Sequence, residues 1–186
     1  MDNLIIQTRV IAGTKRATKL INPGKGTRPL MDRIKTSIFD LIRDFLQEAT
    51  VLDLYAGGGN FGIEALSRGA KHATFVDISA AAFKIIYQNL LRTGFNEQAK
   101  VIHSNVQDYV RLAEQRGESF DIIFADPPFK EVVIEHLLDA TKLLNKNGIF
   151  IVRTPAQFNL SENIGKLKLS YSKKYGKSLV SFYQKA

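Results

Sequence analysis

The chain has 186 residues, 45% of them hydrophobic, which is enough apolar material for the core of a single domain. It has no cysteine, which excludes disulfide bonds and zinc–thiolate sites, and no apolar stretch approaches the roughly 20 residues of a membrane-spanning helix. Twenty-six lysines and arginines against eighteen acidic residues give a charge of +8, which favours an anionic partner.

A basic segment stands near the start, where the lysines and arginines from Arg9 to Lys35 are opposed only by Asp32. Within a single domain spanning 1–186, residues 1–48 are predicted to form an extension: a hairpin over about 8–21 and a helix over about 31–47. We interpret it as an arm that binds a polyanion, with a solvated surface as the alternative. The candidate contacts are Arg9, Lys15, Arg16, Arg28 and Arg33.

A glycine-rich turn follows the first strong strand signal. Residues 51–55 are typical of a strand, and residues 56–62 carry glycines at 57, 59 and 62 before a helical pattern near 60–69. Such glycines let the backbone bend sharply and approach a nucleotide where a Cβ would clash. The next strand, near 73–77, ends in Asp77, suitably spaced to bind two ribose hydroxyls. The pattern predicts an adenosine-containing cofactor; a helix cap is the alternative role for Asp77.

Nicotinamide dinucleotides and S-adenosylmethionine both fit this turn, and Asp53 favours the second. It lies inside the carboxyl end of the first strand, where a charge is costly unless it orders the loop or meets a cation such as a methionyl amine. A dehydrogenase has no evident use for a carboxylate at that position.

A proline-locked corner follows the strand predicted at 120–125. Asp126-Pro127-Pro128-Phe129 can present a carboxylate, a backbone carbonyl and an aromatic face together, because the prolines fix two φ angles. Such a corner suits a planar nucleobase amine, whose hydrogens the acceptors bind while Phe129 stacks on the ring. The structural alternative is a turn after a buried strand. The corner favours methyl transfer over hydride transfer.

The remaining elements alternate strands with helices. Strands are predicted at 99–103 and 147–153, helices at 79–93, 106–116 and 131–145, and an antiparallel edge from 166–171 and 178–183. Alternation of this kind predicts a parallel sheet with both faces covered. Ligands bind beyond the carboxyl ends of such strands, so we expect Asp53, Gly57, Asp77 and Asp126 to converge in one cleft.

The order of these motifs resembles the RsmD family, bacterial methyltransferases of guanine N2 in 16S ribosomal RNA. The likeness covers nearly the whole chain and includes residues 9–13, 26–33 and 64–70. It implies an α/β, class I S-adenosylmethionine-dependent methyltransferase fold: Rossmann-like, with a mostly parallel seven-stranded sheet, an antiparallel edge, and a short N-terminal hairpin and helix. It also implies that the basic arm binds RNA.

The resemblance implies transfer of a methyl group from S-adenosylmethionine to the 2-amino group of a guanine in 16S ribosomal RNA. Methylation of adenine N6 in DNA or RNA is the alternative, because both amines are planar and conjugated. A glutamine-modifying enzyme is disfavoured, since that class carries Asn where this chain has Asp126. The expected partner is 16S RNA, the small subunit or an assembly intermediate, and we expect a cytoplasmic monomer without membrane contact.

The candidate site residues fall into two sets. Those assigned to catalysis are Asp126, Pro127 and Phe129, and those assigned to the cofactor are Asp53, Tyr55, Gly57, Gly59, Asn60, Gly62, Asp77, Ile78, Asn105, Val106 and Asp126. Asn105 stands where the family usually has an acidic residue against the adenine; Asp108 is the alternative there. The three histidines are scattered, and we expect no metal.

Overall fold

A central sheet with helices on both faces organises the chain. The computed structural model describes residues 6–22, 28–130, 132–158 and 160–185, and of residues 6, 7 and 28–30 it describes the backbone alone. The strands are β1 (Ile6–Arg9), β2 (Lys19–Asn22), β3 (Thr50–Leu54), β4 (His72–Asp77), β5 (Ala99–His103), β6 (Phe120–Ala125), β7 (Leu144–Pro155), β8 (Asn163–Ile164), β9 (Leu167–Tyr175) and β10 (Ser178–Lys185). The helices are α1 (Arg28–Leu41), α2 (Asn60–Ser67), α3 (Ala80–Thr93), α4 (Val106–Gln115) and α5 (Ile134–Thr141).

The main sheet has the strand order β5-β4-β3-β6-β7-β10-β9-β8. Its first five strands are parallel, and β10, β9 and β8 add an antiparallel edge. The predicted fold class is confirmed. The strand number is not: the described residues contain eight strands in this sheet rather than seven. The additional strand, β8, is two residues long, too short for any alternation pattern to show in the sequence.

Several boundaries also differ from the prediction. The helix expected over about 31–47 begins at Arg28 and ends at Leu41, and a short 3-10 helix follows at Arg43–Phe45. The helix expected over 131–145 is described as Ile134–Thr141, and β7 begins at Leu144 instead of residue 147. Leu144 pairs with Phe120, after which the register shifts before Ile149. Asn145 stabilises this irregular start, because its Nδ2 donates to Asp121 Oδ1 at 2.7 Å. A short apolar run such as residues 143–144 fits a helix end or a strand start equally well.

Alternate residues of the central strands face opposite helix layers. Val51 and Phe124 belong to the cluster formed with α1, α2 and α3, whereas Leu52 and Ile123 belong to the cluster formed with α4 and α5. All four side chains are at most 2% exposed. Covering both faces explains why these strands are continuous apolar runs. Among the described helices, none combines the length and apolarity needed to span a bilayer.

The N-terminal hairpin of β1 and β2 is fastened to this core by a buried carboxylate. Glu64, on α2, accepts hydrogen bonds from the backbone N–H groups of Ile11 at 2.7 Å and Ala12 at 3.0 Å. Arg68 Nε donates to it at 2.7 Å, and Lys35 Nζ lies 3.8 Å away. Lys35 is fully buried, so counting it with the basic surface of the arm was wrong. It neutralises Glu64 instead.

A buried amide makes a second attachment. Asn89, on α3, accepts from the Ile21 N–H and donates to the Ile21 carbonyl, both at 2.8 Å. The same Nδ2 also donates to the Gly58 carbonyl at 2.9 Å. The hairpin is therefore tied to the glycine turn as well as to α2.

Candidate active site

A cavity of about 790 Å³ opens at the carboxyl ends of β3, β4 and β6. Seven of the predicted cofactor residues line it: Tyr55, Gly57, Asp77, Ile78, Asn105, Val106 and Asp126. The predicted corner, Asp126 to Phe129, forms another part of the same wall. The two motifs, widely separated in sequence, thus face one hollow. A second cavity of about 270 Å³ shares Tyr55, Gly57, Asp126 and Arg153 with the first.

Asp77 is braced so that its carboxylate stays at the cavity wall. Its Oδ2 accepts from the Gly57 N–H and its Oδ1 from the Ser79 N–H, each at 2.8 Å. The alternative role as a helix cap is wrong, because the Ser79 side chain caps α3 by accepting from the Ala82 N–H. The Asp77 carboxylate retains acceptor capacity for a ligand.

Tyr55 and Gly57 begin the turn in the left-handed region, with φ values of 58° and 55°. A non-glycine residue in that region stores strain of roughly 1–3 kcal/mol, which persists where the surrounding structure demands it. A Cβ added at Gly57 would meet no atom within 4 Å. The space beside its backbone is therefore open for a ligand.

Asp53, Gly59 and Gly62 do not line the main cavity, although the sequence assigned them to the cofactor. Asp53 is 1% exposed, and its Oδ2 accepts from the Gly62 N–H at 2.9 Å. A Cβ at Gly62 would lie 2.3 Å from the Phe75 ring, and one at Gly59 would lie 3.2 Å from it. These residues hold the turn and pack α2 against β4. Of Asp53's two expected roles, the structure gives it the loop-ordering one.

Asn60 lines the smaller cavity and not the main one. It is 9% exposed, and its side-chain oxygen has no hydrogen-bond partner within the described part of the chain.

Asn105 caps α4, with its Oδ1 accepting from the Gln107 N–H at 2.8 Å, and it lines the main cavity. Asp108 does not line that cavity and pairs with Arg111 at 3.2 Å. Asn105 is therefore the better placed of the two candidates for the adenine. An amide oxygen can accept a second hydrogen bond in addition to the capping one.

The sequence interpretation missed Arg153, which contacts Asp126 and Phe129 of the corner and Ser178 on β10. Its Nε donates to Asp126 Oδ1 at 2.7 Å and its Nη2 to Asp126 Oδ2 at 3.0 Å. Nη1 donates to Ser178 Oγ at 3.2 Å, and the guanidinium lies 5.0 Å from the centre of the Phe129 ring. The only signal in the sequence was a cation inside the apolar run of β7.

Burial shifts the pKa of two carboxylates at the strand ends, Asp53 and Asp126. Burial raises the pKa of Asp53 well above its usual value, the Gly62 N–H opposes this, and the charges of Asp126 and Asp77 add to the rise. Burial also raises the pKa of Asp126, while the Arg153 cation opposes that rise. No group of three or more potential metal ligands occurs within the described ranges.

The proposed polyanion contacts differ in their surroundings. Arg9 pairs with Asp32 at 3.3 Å, and the Lys15 ammonium lies 5.9 Å from the Phe95 ring. The side chains of Arg16 and Arg33 are exposed. Arg28 begins α1, but its side chain lies outside the described residues, as do residues 26 and 27 of the pre-helix motif.

Comparisons with known proteins agree with this architecture. The family described as Conserved hypothetical protein 95 matches residues 8–184. The Putative rRNA methyltransferase YlbH of Bacillus subtilis is 35% identical over 181 residues, covering 95% of this chain and 98% of the relative. Ribosomal RNA small subunit methyltransferase D of Escherichia coli is 35% identical over 145 residues, covering 76% of this chain and 69% of the relative.

A solved structure is similar over its whole length. The putative methyltransferase yhhF from Escherichia coli superposes with a TM-score of 0.83 at 29% identity, covering 97% of this chain and 98% of that one.

Proposed function

The chain belongs to the family of Conserved hypothetical protein 95, the RsmD family of ribosomal RNA methyltransferases, and we propose that it methylates the 2-amino group of a guanine in 16S ribosomal RNA. The methyl donor is S-adenosylmethionine. The observation that carries the proposal is the meeting of the glycine turn, Asp77 and the Asp126 corner around one cavity of about 790 Å³.

The cavity fits the adenosine part of the donor. The Asp77 carboxylate would accept from the ribose hydroxyls, since its position is fixed by two backbone N–H groups. Ile78 and Val106 offer apolar contact for the adenine, and Asn105 offers a polar edge to it. The open space over Gly57 would admit the part of the donor next to the ribose.

The corner is suited to the acceptor amine. The Asp126 carboxylate and the Pro127 carbonyl would accept its two hydrogens, and Phe129, 38% exposed, would stack on the base. When bound, S-adenosylmethionine supplies a methyl group activated by its sulfonium. The residues of the corner then orient the amine in line with it, and positioning supplies most of the acceleration. No covalent enzyme intermediate is needed.

The proton released by the methylated amine needs an acceptor. Asp126 either takes it late in the transfer or only holds the amine's orientation, in which case the proton passes to solvent. Both roles require the ionised carboxylate, so turnover should fall at low pH in either case.

The basic extension would hold the RNA. Arg9, Lys15, Arg16, Arg28 and Arg33 are the proposed phosphate contacts. A base within folded RNA must leave its stack, at a cost of a few kcal/mol, which phosphate contacts and stacking in the pocket would offset. We further propose that the enzyme works as a cytoplasmic monomer on 16S RNA or a small-subunit assembly intermediate.

Methyl transfer from radiolabelled S-adenosylmethionine tests the proposal directly. The protein is incubated with naked 16S RNA or with small-subunit particles, and the RNA is digested to nucleosides. We expect the label in N2-methylguanosine. Label in N6-methyladenosine would establish the alternative acceptor, and no incorporation with any RNA or particle would overturn the proposal.

A further inference from the structure

We propose that Arg153 is a positioning residue of the methyl transfer: it fixes the Asp126 carboxylate and the Phe129 ring in the arrangement that receives the acceptor base. The inference rests on the proposed function, because it assigns the corner to the acceptor amine. It adds a residue on β7 that no motif of the glycine turn or the proline corner contains.

All three guanidinium nitrogens of Arg153 are engaged. Nε and Nη2 bind the two oxygens of Asp126 at 2.7 and 3.0 Å, and Nη1 binds Ser178 Oγ at 3.2 Å. A bidentate fork of this kind fixes the rotation of a carboxylate, which a single point charge cannot do. Ser178 is 3% exposed and begins β10, which pairs with β7, so the fork has a rigid support.

The same guanidinium covers the Phe129 ring, with its carbon 5.0 Å from the ring centre. A cation over one face of an aromatic ring is attracted by the ring's quadrupole. Phe129 nevertheless keeps 38% of its surface exposed. One face of the ring is thus held by Arg153, which leaves the remaining surface for a stacked base.

Arg153 does not use up the acceptor capacity of Asp126. An ionised carboxylate offers about four acceptor sites, and the fork occupies two of them. One N–H of the amine can therefore still bind Asp126 while the other binds the Pro127 carbonyl. Asp126 is within reach, since its side chain is 17% exposed and lines the cavity.

The fork also balances charge around Asp126. Asp53 on β3 and Asp77 on β4 are the neighbouring carboxylates, and Lys130 and His136 line the same cavity. Arg153 is the cation in direct contact, and it opposes the rise that burial imposes on the pKa of Asp126. Removing it should raise that pKa further, so the ionised form would be lost at a higher pH.

Variants at two positions test the inference. We expect Arg153→Gln to lower kcat about 100-fold, as a misplaced reacting group does, with donor affinity unchanged. The acid limb of its kcat–pH profile should move to higher pH. Arg153→Lys should restore the acid limb and only part of kcat, because it keeps the charge and loses the fork. Ser178→Ala should lower kcat by less, in the same direction. Arg116→Gln is the control, because Arg116 is exposed at the carboxyl end of α4 and does not line the cavity.

Carbon-13 NMR titration of the Asp126 carboxyl gives a readout independent of turnover. A higher titration midpoint in Arg153→Gln than in the parent supports the coupling. A folded Arg153→Gln variant with parental kcat, acid limb and titration would overturn the inference. Should that variant not fold, parental kcat and acid limb in both Arg153→Lys and Ser178→Ala would overturn it. A parent protein that methylates no RNA contradicts the proposed function, while the titration still tests the Arg153–Asp126 coupling.

Discussion

Asp53 is a buried carboxylate that accepts a hydrogen bond from a backbone group, the Gly62 N–H. Burial and two neighbouring carboxylates disfavour the ionised form of Asp53, so its pKa is raised. A raised pKa means that ionising Asp53 costs folding stability as the pH rises above the usual carboxyl range. Below that range the carboxyl is neutral in both states and the cost vanishes.

We therefore expect Asp53→Asn to be as stable as the parent, or more stable, at pH 8, and to match it at pH 3. The amide oxygen can still accept from the Gly62 N–H. Urea unfolding at both pH values measures the difference in free energy of unfolding. A loss of stability confined to pH 8 would contradict this account.

Asp121→Asn is a control with the opposite expected effect on stability, because the Asp121 carboxylate should stabilise the folded state at neutral pH. Burial alone would raise the pKa of Asp121, but hydrogen bonds from Thr50 and Asn145 outweigh it and lower that pKa. Its contribution is present at neutral pH and lost as the pH falls through the folded pKa. The variant should lose about 0.5–1.5 kcal/mol at pH 8 and less at pH 3, because Asp121 is only partly buried.

Asp126→Asn tests the acceptor role at the corner. The amide cannot act as an anionic acceptor, so we expect single-turnover methyl transfer to fall by at least about 100-fold. Donor affinity, measured by equilibrium dialysis, should stay near the parent value, because Asp77 and the residues around the adenine are untouched. Asp108→Asn, an exposed carboxylate outside the cavity lining, should leave both quantities unchanged. Normal turnover in Asp126→Asn would remove the corner from the mechanism.

At the scale of elements, the glycines of the turn divide between ligand space and packing. Gly57→Ala adds a methyl group where nothing lies within 4 Å, at a backbone φ of 55°. It should cost about 1–2 kcal/mol of stability, as a left-handed alanine does, and weaken donor binding, because the methyl group would occupy the space beside the Gly57 backbone where we propose that the donor lies. Differential scanning fluorimetry with and without the donor measures both effects.

Gly62→Ala is the matched comparison. Its Cβ would lie 2.3 Å from the buried Phe75 ring, so α2 and β4 must separate. Overpacking of this kind costs about 1–3 kcal/mol or more. The protein that still folds should bind the donor, because Gly62 does not line the cavity. Equal donor affinity in Gly57→Ala and Gly62→Ala would contradict the assignment of Gly57 to ligand space and Gly62 to packing.

The docked hairpin depends on Glu64. Removing this carboxylate leaves Lys35 without its ion-pair partner, Arg68 with only the half-exposed Asp40 at 4.0 Å, and two backbone N–H groups without an acceptor. We expect Glu64→Ala to lose about 3–5 kcal/mol in urea unfolding and to expose the hairpin to trypsin. Glu114→Ala breaks only an exposed pair with Lys142 and should cost less than about 1 kcal/mol. Similar losses of stability in both variants would show that the buried Glu64 carboxylate contributes no more than an exposed one.

At the scale of the whole molecule, we propose that the RNA binds to the basic residues of the arm rather than to lysines elsewhere on the surface. Replacing Arg9, Arg16 and Arg28 by Gln should weaken RNA binding and flatten its salt dependence, by roughly 0.7–0.9 in the log–log slope per lost phosphate contact. Filter binding over a salt series measures the slope. Replacing Lys142, Lys146 and Lys166, near the amino ends of β7 and β9, should leave it unchanged. Equal slopes in both triple variants would refute the assignment of the arm.

The sequence predicted well the features that depend on the order of strands and motifs along the chain. Asp77 ends β4 and Asp126 follows β6, and both strands are parallel, so the meeting of these residues at one edge of the sheet follows from the topology. Arg153 escaped prediction because its partners depend on tertiary pairing: β10 brings Ser178 beside it from another part of the chain. Lys35 was misread because a charge in an amphipathic helix is usually solvated, whereas here Glu64 and the Arg9 carbonyl compensate its burial.

The pairing of β3 with β6 has a consequence for how the enzyme becomes active. The two strands are adjacent in the sheet, yet Val51 and its partner Ile122 are about 70 positions apart along the chain. The β9–β10 hairpin closes through a turn at residues 176–177, so closing it costs far less conformational entropy than pairing β3 with β6. In refolding from urea, circular dichroism should therefore recover before affinity for the methyl donor, which requires the slower, long-range closure.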